Sequence, residues 1–336
     1  MKLAINGFGR IGRGVLRLLA QDADVDVVAI NDVSAPEPLA YLMQYDTVMG
    51  RFEHGVALEG DVLVAGRQRS RLTREADPAA LPWKALGVDL VVEATGRFRQ
   101  RAELERHLEA GAGKVLLTVP GKDALDATIV LGVNDELLGP EHRIVSNASC
   151  TTNCLAPLAK VIDGRFGIQR GLMTTVHAYT NDQRLSDWSH KDLRRSRAAG
   201  ENTIPTTTGA ARAVGQVLPE LNGRLDGMAV RVPVPDGSIV DLVATVERDV
   251  TVESLNAAVS EAAEGELAGI LEYSTAALVS GDIIGNPHSC IFDAPLSRVA
   301  GRTIKVFAWY DNEWGYTNRV VELARRMVEG GARRPS

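Results

Sequence analysis

A cysteine at the predicted start of a helix is the most reactive candidate in the sequence. Cys150 follows a strand-like run and lies in the segment SCTTNC at 149–154. The positive end of a helix dipole favours the thiolate, which is the form of sulfur that attacks an electrophilic carbon. Cys154, one turn later, is interpreted as a small core residue. The pattern predicts covalent catalysis by Cys150.

One of the six histidines has a setting that suits a general base. His177 ends the strand-like run MTTVH and precedes the polar segment 179–182. A cysteine and a histidine that are distant in sequence and adjacent in the fold are the usual arrangement for thiol catalysis. A structural histidine within a strand is the alternative interpretation. The other histidines are interpreted as surface or structural residues: His54, His107, His142, His190 and His288.

A glycine-rich motif near the start of the chain predicts a dinucleotide site. Residues 7–12 read GFGRIG between a predicted strand and a predicted helix, and Asp32 ends the next strand. Gly7 permits a tight turn, Gly9 lets the backbone approach a pyrophosphate, and Gly12 lets helix and strand pack closely. The pyrophosphate would lie at the helix N-terminus, and Asp32 would accept hydrogen bonds from the adenosine ribose. An ordinary glycine-rich turn is the alternative.

The elements that position these residues form two groups. Up to about residue 149, strand and helix patterns alternate, which predicts an α/β Rossmann-type domain with a doubly wound parallel sheet. Long alternating runs after residue 150, such as 238–248 and 303–310, predict an α+β catalytic domain with a mostly antiparallel sheet. We therefore expect a dinucleotide-binding domain over 1–149, a catalytic domain over 150–314, and a C-terminal helix in 315–336 that packs back on the first domain.

The composition argues against several classes of protein. The chain has 336 residues and a formal net charge of -6, which does not favour nucleic acid or an anionic membrane as a partner. No apolar run approaches the ~20 residues of a membrane span, and the first residues lack the apolar core of a signal peptide. Three cysteines argue against a disulfide framework. We expect a cytoplasmic protein that binds neither nucleic acid nor membranes and has no metal site.

Sequence blocks along nearly the whole chain resemble the phosphorylating glyceraldehyde-3-phosphate dehydrogenase family. The most specific are SNASCTTNC at 146–154 and WYDNEWGY at 309–316. The resemblance implies oxidation of glyceraldehyde 3-phosphate by NAD(P) and inorganic phosphate to 1,3-bisphosphoglycerate. Cys150 would form a hemithioacetal and then a thioester, with His177 as the base. A glycolytic homotetramer with small-molecule substrates is also implied. The other matching blocks are INGFGRIGR (5–13), YDTVMGRF (45–52), TVHAYTNDQ (175–183), HKDLRRSRAA (190–199), TTTGAA (206–211) and RVPVP (231–235).

The resemblance assigns further residues to binding sites. Asn312 is similar to the residue that holds the nicotinamide carboxamide. The other implied cofactor contacts, besides the glycine motif, are Arg10, Ile11, Asp32 and Thr118. Thr180 and Arg231 resemble the site for the substrate's phosphate. The residues that resemble the inorganic phosphate site are Ser149, Thr151, Thr208 and Gly209. A helix N-cap is the alternative interpretation for Thr208 and Gly209, and the two are compatible.

Three regions depart from the usual pattern of the family. Ala76 stands where an arginine near the adenine is common. Val33 and Ser189 replace a leucine and a proline that are common in NAD-specific members. Ser189 is similar to members that accept NADP, whereas the Asp32 carboxylate repels a 2′-phosphate. We therefore predict that NAD is a good cofactor and that NADP is also accepted. Asp236-Gly237 replaces the commoner Asn-Val, and an Asp-Gly pair predicts a local turn.

The sequence leaves three other functions open. Erythrose-4-phosphate dehydrogenase shares the fold, the cysteine and the histidine, but that subfamily tends to lack the pairs present here at Thr180-Asn181 and Thr208-Gly209. A catalytically silent NAD-binding protein that acts through partners is a second alternative, against which the intact Cys150 and His177 argue. Redox sensing by Cys150 is a third, expected as a side effect of a reactive thiol.

Overall fold

The computed structural model describes residues 1–330, which form two compact units. The first unit combines Met1–Ile129, Asp135–Ala148 and the C-terminal segment from Thr317. The second combines Val130–Asn134 and Ser149–Tyr316. Residues 331–336, the end of the segment expected to pack on the first domain, lie outside the described residues.

The first unit is a nine-stranded sheet with helices. Its strands are β1 (Lys2–Asn6), β2 (Asp26–Asn31), β3 (Val56–Glu59), β4 (Val62–Ala65), β5 (Gln68–Thr73), β6 (Leu90–Glu93), β7 (Lys114–Leu117), β8 (Ala127–Thr128) and β9 (Ile144–Ser146). Its complete helices are α1 (Arg10–Leu19), α2 (Pro36–Gln44), α3 (Trp83–Leu86) and α4 (Arg101–Glu109).

The strands of this sheet run in the order β3-β4-β5-β2-β1-β6-β7-β9-β8. All pairs from β5 to β8 are parallel, and from β1 the chain proceeds outward to β2 on one side and to β6 and β7 on the other. The central strands β1 and β6 are largely apolar and almost wholly buried, as expected where helices cover both faces. The predicted doubly wound parallel sheet is confirmed. An antiparallel edge, β3-β4-β5, extends it.

The second unit is an eight-stranded sheet packed with helices. Its strands are β10 (Ile168–Ala178), β11 (Ile204–Thr207), β12 (Leu225–Val232), β13 (Ser238–Val246), β14 (Leu271–Ser274), β15 (Cys290–Asp293), β16 (Arg298–Ala300) and β17 (Thr303–Tyr310). Its helices are α5 (Cys150–Phe166), α6 (Ala210–Val217), α7 (Val252–Glu264) and α8 (Ser280–Ile283), and α9 (Trp314–Glu329) begins here.

This second sheet has the order β11-β12-β10-β13-β17-β15-β14, with β16 beside β17. The pairs β10·β12 and β14·β15 are parallel and the others are antiparallel, so the prediction of a mostly antiparallel sheet is confirmed. Helix α5 packs on strands β15 and β17, and most of its residues are buried. The pairing of β10 with β12 sets His177 beside Arg231.

From Thr317 onward, helix α9 packs within the first unit. Its buried face includes Val320, Leu323 and Met327. Two ion pairs connect its last turns to the rest of the first unit, one between Arg325 and Asp22 and the other between Arg326 and Asp135. Among the described residues, no helix combines the length and the apolar character that a bilayer crossing requires.

Candidate active site

Cys150 and His177 lie next to each other in the second unit. The distance between Cys150 Sγ and His177 Nε2 is 3.5 Å. Cys150 is the first residue of α5, whose N-cap is Ser149, with its hydroxyl accepting a hydrogen bond from the Thr152 N–H. Ala148, just before the cap, has φ of 55°, a region that residues other than glycine rarely adopt. A strained turn and a capped helix start therefore present the thiol to the imidazole.

The imidazole of His177 is buried between a carbonyl group and a guanidinium group. Its Nδ1 lies 2.7 Å from the Ala178 carbonyl oxygen and 2.5 Å from Arg231 Nη1, which also donates to that oxygen. The edge of the ring meets Tyr310 with 5.8 Å between ring centroids. Burial, followed by the positive charge of Arg231, lowers the pKa of His177 to about 3. The ring is therefore neutral at physiological pH and able to accept a proton.

The electrostatics of Cys150 differ from the sequence prediction. The dipole of α5 favours the thiolate, as predicted, but burial raises the pKa of the Cys150 thiol. The charge of Arg231 and hydrogen bonds from Thr151 act in the opposite direction and do not outweigh burial. The helix dipole therefore does not by itself give Cys150 a lowered pKa in the free protein. A thiol with a raised pKa needs a base within reach, and His177 Nε2 is the one that the structure provides.

Two hydroxyl groups that the sequence analysis missed support the site. Ser238 Oγ accepts a hydrogen bond from the Ala178 N–H at 3.0 Å and donates to Asn312 Oδ1 at 2.6 Å. The Tyr310 hydroxyl lies 2.8 Å from Thr151 Oγ1 and 2.7 Å from Thr175 Oγ1. Both side chains are buried at the paired ends of β13 and β17. The alternation of apolar and polar residues in the two strands could have indicated that these side chains point inward. It could not have identified their hydrogen-bond partners, which depend on the register of the strands.

The residues expected at the two phosphate sites are only partly brought together. Arg231 contacts His177 directly, and its buried Nε has no hydrogen-bond partner in the part of the chain that the structure describes. The Thr180 N–H donates to Gln183 Oε1 at 3.2 Å, which closes a tight turn after β10. Thr208 Oγ1 accepts from the Ala210 N–H at the start of α6. Within residues 1–330, no hydrogen bond links Thr208 or Gly209 to the thiol–imidazole pair.

Gly209 has no atom within 4 Å of the position that a Cβ would take, so the space beside α6 is open. Ser149 and Thr151 have different surroundings. The Ser149 hydroxyl serves as the helix cap, and that of Thr151 is buried against Tyr310. The N-cap of α6 is Gly209, without a side-chain cap hydrogen bond, so the N-cap interpretation applies to Gly209, and the space beside it stays accessible to an anion.

The glycine-rich motif of the first unit forms a cradle that fits a pyrophosphate. A Cβ on Gly12 would lie 2.2 Å from the Gly7 carbonyl oxygen, so close packing requires glycine there. Gly7 itself has φ of 95°. The space beside Gly9 is open, and α1 begins there without a side-chain cap, which leaves N–H groups of its first turn for an anion.

Asp32 is fixed at the end of β2 beside this cradle. Its two carboxylate oxygens accept hydrogen bonds from the Phe8 and Ser34 N–H groups, both at 2.9 Å. Burial alone would raise the pKa of Asp32, but these hydrogen bonds lower it. Asp32 is therefore an anion at physiological pH, held in one orientation.

The other predicted cofactor contacts have partners inside the first unit or lie apart from it. Arg10 forms an ion pair with Asp46, and the Thr118 hydroxyl donates to the Glu93 carbonyl oxygen at 3.0 Å. Ile11 is partly buried beside Arg10 on α1. Asn312 belongs to the second unit, where Ser238 holds its side chain.

A buried network around Glu93 extends to the motif strand. His107, expected at the surface or in a structural role, is structural: its Nδ1 accepts from Trp83 Nε1 at 3.0 Å, and its Nε2 lies 3.1 Å from Glu93 Oε2. The same carboxylate oxygen accepts from Asn6 Nδ2 at 2.5 Å. Glu93 also accepts from the N–H and the hydroxyl of Thr95, the residue against which Gly7 packs.

Comparison with known proteins gives one family for both units. A family model for the NAD binding domain of glyceraldehyde 3-phosphate dehydrogenase matches residues 1–101, and a family model for the C-terminal domain of the same family matches residues 149–312. The glyceraldehyde-3-phosphate dehydrogenase of Kitasatospora aureofaciens is 58% identical over 329 residues, which cover 97% of this chain and 99% of that protein.

Two further relatives carry the same name. That of Mycobacterium leprae is 55% identical over 330 residues, which cover 96% of this chain and 97% of that protein. That of Geobacillus stearothermophilus is 54% identical over 333 residues, covering 98% and 99%. The chain therefore belongs to the glyceraldehyde 3-phosphate dehydrogenase family, whose members are NAD-dependent oxidoreductases.

Proposed function

We propose that this chain is a phosphorylating glyceraldehyde-3-phosphate dehydrogenase that converts glyceraldehyde 3-phosphate, inorganic phosphate and NAD to 1,3-bisphosphoglycerate and NADH. The observation that carries the proposal is the 3.5 Å contact between Cys150 Sγ and His177 Nε2. Family membership supports the substrate, since the relatives above are named for it. The same names do not favour erythrose 4-phosphate as the substrate, or a non-catalytic role.

The oxidation takes place on the Cys150 sulfur. Sγ attacks the aldehyde carbon, and the thiol proton passes through His177 Nε2 to the aldehyde oxygen, so that the product is a hemithioacetal. His177 then accepts the hydroxyl proton of the hemithioacetal at Nε2 as the C–H bond breaks. Bound NAD would supply the acceptor for the hydride that leaves this carbon. Inorganic phosphate attacks the resulting thioester, the C–S bond breaks, His177 returns its proton to the sulfur, and the acyl phosphate leaves the free thiol.

Arg231 connects base strength to substrate binding. For Nε2 to accept a proton, Nδ1 must carry the ring hydrogen and donate it to the Ala178 carbonyl oxygen. Arg231 Nη1, 2.5 Å from Nδ1, opposes that tautomer and the charged ring. A phosphate group of the substrate would draw the guanidinium toward itself and neutralise its charge. We infer that Arg231 and Thr180 bind the substrate's phosphate, and that this binding strengthens His177 as a base.

The second anion, inorganic phosphate, is assigned to the start of α6 and the start of α5. The open space beside Gly209 and the hydroxyl group of Thr208 support this assignment. Ser149 and Thr151 complete the proposed site from the first turn of α5, where the helix dipole also favours an anion. The Cys150 N–H, in the same turn, is the proposed donor to the developing oxyanion, together with His177.

Cofactor choice is proposed to depend mainly on Asp32. Its carboxylate is oriented by two backbone N–H groups, which suits acceptance of hydrogen bonds from a ribose and repels a 2′-phosphate. We propose NAD as the preferred cofactor, with slower turnover of NADP. Arg10, Ile11 and Thr118 would contact the cofactor mainly through backbone and apolar atoms, because Asp46 and Glu93 engage the polar side chains.

We further propose a cytoplasmic, glycolytic homotetramer with domains at 1–149 and 150–314. Exposed apolar residues support an oligomer, because isolated subunits seldom expose so many large side chains together. Leu172 is 69% exposed on the open face of the second sheet, and Val243, its partner in β13, is also exposed. In the loop after β10, Leu185 is 93% exposed and Trp188 is 73% exposed.

Mass spectrometry of the acyl-enzyme tests the proposed chemistry. The protein is incubated with NAD and glyceraldehyde 3-phosphate in the absence of phosphate, then digested. We expect the phosphoglyceryl group on the Cys150 peptide and its release when phosphate is added. The same experiment with erythrose 4-phosphate should give slower acylation. An adduct that forms only with erythrose 4-phosphate, or on Cys154, would refute the proposal.

A further inference from the structure

The bend before β13 buries a carboxyl group that none of the roles above uses. Asp236 lies in a bend rather than in the predicted turn; Gly237 has φ of 83°, and a Cβ on it would lie 2.2 Å from the Ser280 carbonyl oxygen. The Asp236 side chain is only 1% exposed. Its Oδ1 accepts from the Gly237 N–H at 2.8 Å, and among residues 1–330 no N–H or hydroxyl group donates to its buried Oδ2. An ionised carboxylate in this position would have no hydrogen-bond donor at one of its two oxygens, which is unfavourable for a buried charge.

The group that faces Asp236 is a second buried carboxyl, Asp311. Ser238 pairs with Tyr310 in the sheet, so Asp236 and Asp311 continue the two strands beyond their paired ends. Asp311 is 1% exposed, and its charge and a hydrogen bond with its side chain both raise the pKa of the Asp236 carboxyl. Its oxygens already accept from three backbone N–H groups, those of Gly285, Glu313 and Trp314. This donor set suits an ionised Asp311 and leaves the proton to Asp236.

We propose that Asp236 is a neutral carboxylic acid that donates its Oδ2 hydrogen to the Asp311 carboxylate, and that this shared proton makes cofactor binding at Asn312 sensitive to alkaline pH. The start of β13 then holds the segment Asp311-Asn312 at two points. Asp236 holds Asp311, and Ser238 holds Asn312 at 2.6 Å. Asp236 is a positioning residue in this proposal, which rests on the proposed role of Asn312 in holding the nicotinamide.

The surroundings explain why the proton is retained and when it is lost. The groups that face Asp236 are Asp311 and Glu313 after β17, Cys150 at the start of α5, and the backbone of Ser280 in α8. Burial, and then the charges of Asp311 and Glu313, raise the pKa of Asp236 to about 9. Above that pH the hydrogen bond is replaced by repulsion between two anions. The new charge also raises the pKa of Cys150, which disfavours its thiolate.

Infrared spectroscopy tests the proton without any reference to catalysis. A protonated carboxylic acid has a C=O stretch distinct from that of a carboxylate. We expect the wild-type protein to lose such a band between about pH 7 and about pH 10, and Asp236→Asn to lack it. The matched control is Asp226→Asn, because Asp226 also precedes a glycine and accepts its N–H at 2.8 Å, but is exposed. A wild-type protein without the band would overturn the proposal, whatever its activity.

Steady-state kinetics tests the effect on the cofactor. The KM for NAD of the wild-type and Asp226→Asn proteins should rise about fivefold to tenfold between about pH 7 and about pH 10, the factor expected for one lost hydrogen bond. In Asp236→Asn the ratio of the two KM values should fall toward one, because the amide donates at both pH values. An equal rise in all three proteins would overturn the coupling to Asn312. Absence of NAD reduction in every protein would instead refute the proposed function and leave the infrared result valid.

Discussion

The hydroxyl of Ser238 gives a sharp test of how the second unit supports its site. In Ser238→Ala, the Ala178 N–H and Asn312 Oδ1 both lose their buried partner. Each unpaired buried group costs about 1–3 kcal/mol, so the free energy of unfolding should fall by about 2–6 kcal/mol. Because Asn312 would no longer be held in one orientation, the KM for NAD should also rise, by about tenfold for a loss of 1.4 kcal/mol.

Denaturant unfolding and initial-rate kinetics on the same preparations measure both effects. Ser274→Ala is the matched control, because Ser274 in β14 is also buried and accepts a backbone hydrogen bond, from the Ala276 N–H at 3.2 Å. The control should lose stability without a change in the KM for NAD. If Ser238→Ala and Ser274→Ala had the same KM as wild type, the argument that Ser238 positions Asn312 would be refuted.

Four further predictions concern the ionisable groups of the two sites. Asp32→Ala should raise the ratio of NADP to NAD kcat/KM by about tenfold, a free-energy difference of about 1.4 kcal/mol, because it removes both the repulsion of the 2′-phosphate and the hydrogen bonds to the ribose; an unchanged ratio would contradict the proposed cofactor choice. His177→Gln should lower kcat about 10²–10⁴-fold through loss of the base, as single-turnover rates would show. The pKa of His177 is about 3 in the folded state and about 6.5 in the unfolded state, so the unfolded protein binds a proton first as pH falls. The free energy of unfolding of the wild-type protein should therefore decrease between about pH 6.5 and pH 3, and it should decrease less in His177→Gln. Thermal melting curves across this pH range measure the difference. Arg231→Lys should reduce kcat/KM more for glyceraldehyde 3-phosphate than for glyceraldehyde; equal losses would argue against a phosphate contact.

The dinucleotide cradle could be predicted from sequence because its determinants are local. The spacing of Gly7, Gly9 and Gly12 fixes one turn and one helix start, and the flanking strand and helix patterns confirm the context. The antiparallel edge of the first sheet was missed because its strands are short and half polar. The turns of that edge at Gly60 and Gly66, both with positive φ, were the available signal.

The second unit was less predictable because its contacts depend on the register of distant strands. The helix start at Cys150 could be identified locally, but the approach of Arg231 to His177 follows from the parallel pairing of β10 with β12. The raised pKa of Cys150 could not be predicted either, since the sequence indicates a helix start with its dipole but does not indicate how deeply the thiol is buried. For the same reason the burial of Asp236 against Asp311 could not be foreseen, and the predicted turn there is a bend.

Reduction of nicotinamide in the presence and absence of inorganic phosphate tests the central claim most directly. Absorbance of the reduced cofactor is followed with purified protein and glyceraldehyde 3-phosphate, with NAD and NADP in parallel and Cys150→Ser as the control. We predict sustained reduction of NAD only with phosphate, a single stoichiometric burst without it, and no reduction by Cys150→Ser. Sustained reduction without phosphate, or activity in Cys150→Ser, would contradict a Cys150 thioester that phosphate must resolve.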